Sequence, residues 1–146
     1  MITPRRLTVE PLLDTDAAVA DLVARFEGCT WPFPQWTHRA HLAVAVSYLR
    51  QFPFPAALDR AREQIQHYNR TCGTADGYHE TITVVFMRVV AAYLARHPDA
   101  GPARAVAELA GTCDMAWLKR HYSAERLGRA EAKTAFIDPD LRAFDF

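Results

Sequence analysis

The chain has 146 residues, half of them apolar, with 17 basic and 17 acidic side chains and a formal net charge of zero. Such a length suits one domain that buries a core without staples, and such a composition excludes intrinsic disorder. Zero net charge argues against nucleic acid or an anionic membrane as the main partner, because both select a basic face.

The first residues carry Arg5 and Arg6 with no apolar stretch after them, so no signal peptide is expected. Three widely spaced cysteines, Cys29, Cys72 and Cys113, form no C-x-x-C pair. An odd count without a secretory segment points to reduced thiols and a cytoplasmic protein. No apolar run reaches the roughly 18 to 20 residues of a membrane span.

After a lead-in over 1–13, Thr15 or Asp16 can cap a first helix over 16–27. Val19, Leu22, Val23 and Phe26 make its apolar face, and Gly28 ends it. Residues 29–35 hold Pro32 and Pro34 among Trp31 and Phe33, which predicts an ordered aromatic loop. Thr37 then caps a second helix over 38–51. With His38 at zero on a wheel of about 100° per residue, Leu42, Ala45 and Leu49 fall within about 40° of it. His41 and Tyr48 lie to one side of that face. Arg39, Ala43, Ser47 and Arg50 gather opposite, so both histidines are expected to turn inward.

Pro55 opens a third helix over 55–70, with Leu58, Ala61, Ile65, Tyr68 and Asn69 on its buried stripe and Gly73 as its stop. The strongest periodicity predicts a fourth helix over 78–96, whose broad face holds Ile82, Val85, Phe86, Val89, Val90, Tyr93 and Leu94. On that wheel His79 lies near the middle of the apolar face, Glu80 on its flank, and Arg88 points away. Pro102 starts a shorter helix to 110, and another short segment carries Trp117. In the tail, Ser123 reads as a cap, and Leu127, Phe136, Ile137 and Leu141 are expected to pin the chain across the bundle. No strand pattern occurs, so the fold class is all-α: a single-domain helical bundle over 1–146.

Short links favour antiparallel neighbours. Four helices running alternately up and down bring the openings of the second and fourth to one end. There Trp36, His38, His41, Tyr68, Asn69, Tyr78, His79 and Glu80 would converge. Three imidazoles with an open position form a workable set for Zn²⁺, Fe²⁺, Ni²⁺ or Cu²⁺. The preferred reading gives His38, His41 and His79 such a divalent metal. Glu80 is its catalytic base or a further ligand, with His79 also in the catalytic set, and Trp36, Tyr68, Asn69 and Tyr78 are substrate contacts. The chemistry would be hydrolysis, hydration or elimination. Metal-free acid/base catalysis, a non-catalytic small-molecule binding module, and histidines that merely satisfy helix ends stay open beside it. Cys72 is the one cysteine near this end. There is no P-loop or dinucleotide fingerprint, so no nucleotide cofactor is expected. The expected partners are a small-molecule ligand and, at most, a second copy of the chain as a homodimer, with no nucleic acid and no membrane.

Trp36-Thr37-His38-Arg39-Ala40-His41-Leu42, Gly77-Tyr78-His79-Glu80-Thr81, His121-Tyr122-Ser123 and Pro139-Asp140-Leu141 together resemble the pattern of a group of small uncharacterised bacterial helical proteins. The likeness spans nearly the whole chain and brings no activity with it. At the level of architecture alone, the expected bundle is similar to metal-binding four-helix bundles of the DinB-like kind, which use three histidines. The histidine spacing here departs from theirs.

Overall fold

The computed structural model describes residues 8–146; Arg5, Arg6 and the start of the lead-in lie outside them. The described residues form eight α-helices and no strand: α1 Asp16–Glu27, α2 His38–Gln51, α3 Phe54–Cys72, α4 Glu80–Arg96, α5 Pro102–Thr112, α6 Met115–His121, α7 Ala124–Leu127 and α8 Ala130–Thr134. Among the described residues no helix is long and apolar enough to cross a membrane.

The local signals explain most boundaries. Thr15 Oγ1 accepts from the Ala18 amide at 3.1 Å, satisfying one orphan donor of α1. Gly28 ends α1, and the reversal after it is made by Cys29 in the left-handed region at φ 56°. Thr37 accepts from the Ala40 amide and donates to Glu10 Oε2, which ties the lead-in to the head of α2. Proline stands in the first turn of α3 and of α5, where its missing donor costs nothing. The helix α5 has Gly101 as N-cap and no cap side chain of its own. Asp16 supplies one from α1: its Oδ1 accepts from the Ala103 amide at 2.9 Å. A Cβ at Gly101 would lie 2.9 Å from the other carboxylate oxygen, so glycine admits this cross-helix cap.

The helix α2 is the centre of the bundle, in contact with α1, α3, α4 and α5. Ala43, expected on its outer side, is fully buried, because α5 packs against that side. A small residue there lets the two backbones approach. Arg50, at the end of the same side, donates to the carbonyls of Pro98 and Ala100 and so anchors the α4–α5 link. Leu49, expected at the heart of the apolar face, is only partly buried.

The helix α4 begins at Glu80, with His79 outside it as N-cap at φ −136° and ψ 110°. The wheel that set His79 in the middle of the apolar face therefore does not apply to it. The C-terminal segment crosses the bundle as expected, through different residues in part. Phe136 lies under the Arg88 guanidinium at 4.4 Å, a cation–π contact. Leu127 packs on the core, whereas Leu141 is 59 % exposed and contributes only its amide, which donates to His121 O. Ser123 caps α7, and its amide and hydroxyl donate to the two oxygens of Asp140 at 2.8 and 2.6 Å. Tyr122 donates to Ile137 O at 2.7 Å. The His-Tyr-Ser and Pro-Asp-Leu stretches thus meet in space.

Candidate functional site

A cavity of about 270 Å³ opens between the N-terminal halves of α2 and α4. Its walls come from Trp36, Thr37, His38 and His41, from Val44 and Ala45 deeper in α2, from Ala61 and Ile65 of α3, from Ile82, Thr83, Phe86 and Met87 of α4, and from Met115 of α6. The head of α2 borders this space, and α4 reaches it from Ile82 onward, below its polar opening. Met115 is 38 % exposed, which places one wall of the cavity at the surface.

Two imidazoles interrupt this apolar wall. His38 Nε2 lies 2.9 Å from Cys113 O; a carbonyl only accepts, so Nε2 carries the hydrogen and Nδ1 the lone pair. Among the described residues that Nδ1 has no hydrogen-bond partner. The ring sits edge-on to Phe86 at 4.5 Å. Burial pushes the His38 pKa below its ordinary value, and the Cys113 carbonyl, Asp114 and Glu10 only partly oppose the shift. The ring is thereby kept neutral. His41 donates from Nδ1 to Thr37 O at 2.7 Å, and its ring lies 3.8 Å from that of Trp36. Trp36 in turn stacks on Phe26 at 4.7 Å. The proline-flanked loop and α2 therefore build this side together.

The second polar opening faces elsewhere. His79 Nδ1 accepts from the Ile82 amide at 3.2 Å, and Nε2 donates to Leu127 O at 2.7 Å. Both nitrogens serve the backbone, and the three-histidine set is not gathered. Among the described residues no three His, Cys, Asp or Glu side chains are placed to hold a metal ion together. Ligation by His79 would have to break the cap of α4 or the tie to α7.

Glu80 lies on the flank between α3 and α4, away from the cavity wall. Arg62 donates to it from Nε at 3.0 and 2.9 Å and from Nη2 at 2.6 Å, and Tyr78 donates to Oε1 at 2.6 Å. Burial pushes the Glu80 carboxyl up, but the Arg62 and Tyr78 hydrogen bonds outweigh it and hold it below the usual carboxylate range. A carboxylate so stabilised is a weak base, and the expected catalytic base is here the middle of a clamp. Burial, followed by the hydrogen bond to Glu80, raises the Tyr78 pKa, which keeps the phenol as the donor. Thr81, fully buried, lies 2.7 Å from Ala132 O and 2.9 Å from Ala135 O and accepts from the Ile137 amide at 3.3 Å. The head of α4 is thus a dock for the C-terminal segment.

Of the other expected contacts, Trp36 is on the cavity wall. Tyr68 is fully buried behind it, its ring 5.1 Å from Trp36 and its hydroxyl donating to Trp31 O at 2.6 Å. Asn69 is buried beside the α3–α4 link, with its amide nitrogen close to Gly77. Neither Tyr68 nor Asn69 lines the cavity. Burial pushes the Cys72 thiol up, and its Sγ donates to Cys29 O; such a thiol is a poor nucleophile. Sequence reasoning missed Met115, Met87 and Arg62. The α4 residues were detectable from the spacing 82, 83, 86, 87 on one face below the cap, whereas nothing in the sequence brings Met115 of α6 to α2.

Compared with protein-family models, curated proteins and solved structures, the chain matches none.

Proposed function

We propose that the protein binds a small molecule in the cavity between α2 and α4, with His38 as the principal polar contact. The observation that carries this reading is a neutral His38, its Nδ1 without a hydrogen-bond partner among the described residues, in a mostly apolar wall around about 270 Å³. Sites for small molecules usually combine such an apolar lining with a few placed polar groups. The test is ligand-dependent thermal stabilisation across a panel of small neutral aromatics. Ala61, fully buried on the wall, supplies the control. Ala61→Leu is expected to fill part of the cavity and remove the ligand response. Stabilisation that persists unchanged in Ala61→Leu would move the site elsewhere.

A second reading makes His38 a general base in hydrolysis, hydration or elimination without metal. Its support is the burial that keeps the imidazole unprotonated. Turnover would then survive chelation and be lost in His38→Ala. A metal-dependent form needs a ligand other than His79 as now held. Elemental analysis of protein purified without a His tag tests it: stoichiometric metal that is lost in His38→Ala would favour a metal at this cavity.

A further inference from the structure

We infer that the cavity is made for a neutral, flat, two-ring molecule that carries a single hydrogen-bond donor, of the indole or naphthol class. The inference rests on the small-molecule reading above and adds the chemical class.

Size comes first. A dry cavity of about 150 Å³ lined by aliphatic and aromatic side chains holds benzene. The space here is about 270 Å³, which calls for a larger molecule, on the order of two fused rings. Its walls suit aromatic faces: Trp36, Phe86, Met87 and Met115 all border it, and thioether sulfur packs favourably on rings.

Charge comes second. Among the described residues no Lys, Arg, Asp or Glu is on the wall. An ionised ligand would lose its hydration without gaining a counter-ion, so a neutral one is favoured.

Polarity comes third and is the most specific. Among the described residues four polar side chains border the space: Thr37, His38, His41 and Thr83. Thr37 donates to Glu10 Oε2, Thr83 to His79 O, His38 Nε2 to Cys113 O and His41 Nδ1 to Thr37 O. These hydrogens are all committed to protein oxygens. The wall therefore offers acceptors rather than donors, His38 Nδ1 among them, and the matching ligand group is an N–H or O–H.

Indole and benzofuran have nearly the same shape and differ in that donor, so calorimetric titration of the intact protein with each is the direct test. Indole is expected to bind about tenfold more tightly, the factor that corresponds to one hydrogen bond of about 1.4 kcal/mol. In His38→Leu the preference should fall to about one while benzofuran binding persists. Indole-2-carboxylate should bind far more weakly than indole. Equal wild-type affinity for indole and benzofuran would overturn the donor assignment, and carboxylate binding as tight as that of indole would overturn the neutral class. Both results would leave a small-molecule cavity standing. Failure of all three compounds to bind, with no ligand of the wider panel responding to Ala61→Leu, would remove the small-molecule reading as well. The comparison within the wild-type protein decides the matter even if His38→Leu fails to fold.

Discussion

His79→Ala removes the side-chain cap of α4 and the tie to Leu127 together. A lost cap costs about 1 kcal/mol, and a lost hydrogen bond adds about 1 kcal/mol. Denaturant unfolding should therefore show a loss of about 2 kcal/mol, with cavity ligands still bound by the folded fraction. His79→Asn, which can still cap, should recover part of it. Titration separates the two sites by their pH windows. The native His38 pKa lies below its unfolded value, so the unfolded chain binds more protons as pH falls. Its contribution is complete above roughly pH 6.5 and is lost below that, through the lower native value. Glu80 is also depressed, so its contribution is present above the ordinary Glu value of roughly 4.3 and is lost as pH falls through the native one. Stability measured from pH 7 to 3 should fall in two stages. His38→Leu should flatten the upper stage, and Glu80→Gln the lower.

At the scale of elements, α4 carries two loads. Its apolar face enters the core, and its polar head receives the C-terminal segment. Thr81→Val keeps the shape and deletes the hydroxyl shared by Ala132, Ala135 and Ile137. The expected cost is about 1–3 kcal/mol, because the buried Ala132 carbonyl loses its partner. Hydrogen exchange should show faster exchange at the Ile137 amide, with α1 and α2 unchanged. Much of this scale was legible in the sequence. Periodic apolar spacing located α1 to α4, and Thr15, Thr37 and Gly73 marked their ends. His79 was misread because a helix boundary moved by two residues decides whether a wheel applies at all. The second buried side of α2 was missed for another reason. Ala43 reads as neutral on a wheel, and only the docking of α5 reveals that its small size is required. The Arg62 clamp depends on the relative height of α3 and α4, which no local pattern encodes.

At the scale of the molecule, the cavity is space that the core leaves unfilled, and unfilled space generally costs stability. Ala61→Leu should partly fill it with less strain than in a packed core, raising the thermal midpoint while abolishing ligand response. A higher midpoint together with lost binding would identify the void as a retained functional feature, since stability is commonly given up where a site needs space.

The dock at the head of α4 also has a consequence for biosynthesis. Thr81 and Ala132 are 51 residues apart. At roughly 5 to 20 residues per second of translation, α4 leaves the ribosome about 3 to 10 s before its partner carbonyl exists. Through that interval the nascent helix presents a hydroxyl and an imidazole with no docked segment to receive them. The arrival of α7 and α8 is thus the event that completes the fold, and a stalled chain ending near residue 123 should be the form that chaperones and proteases engage.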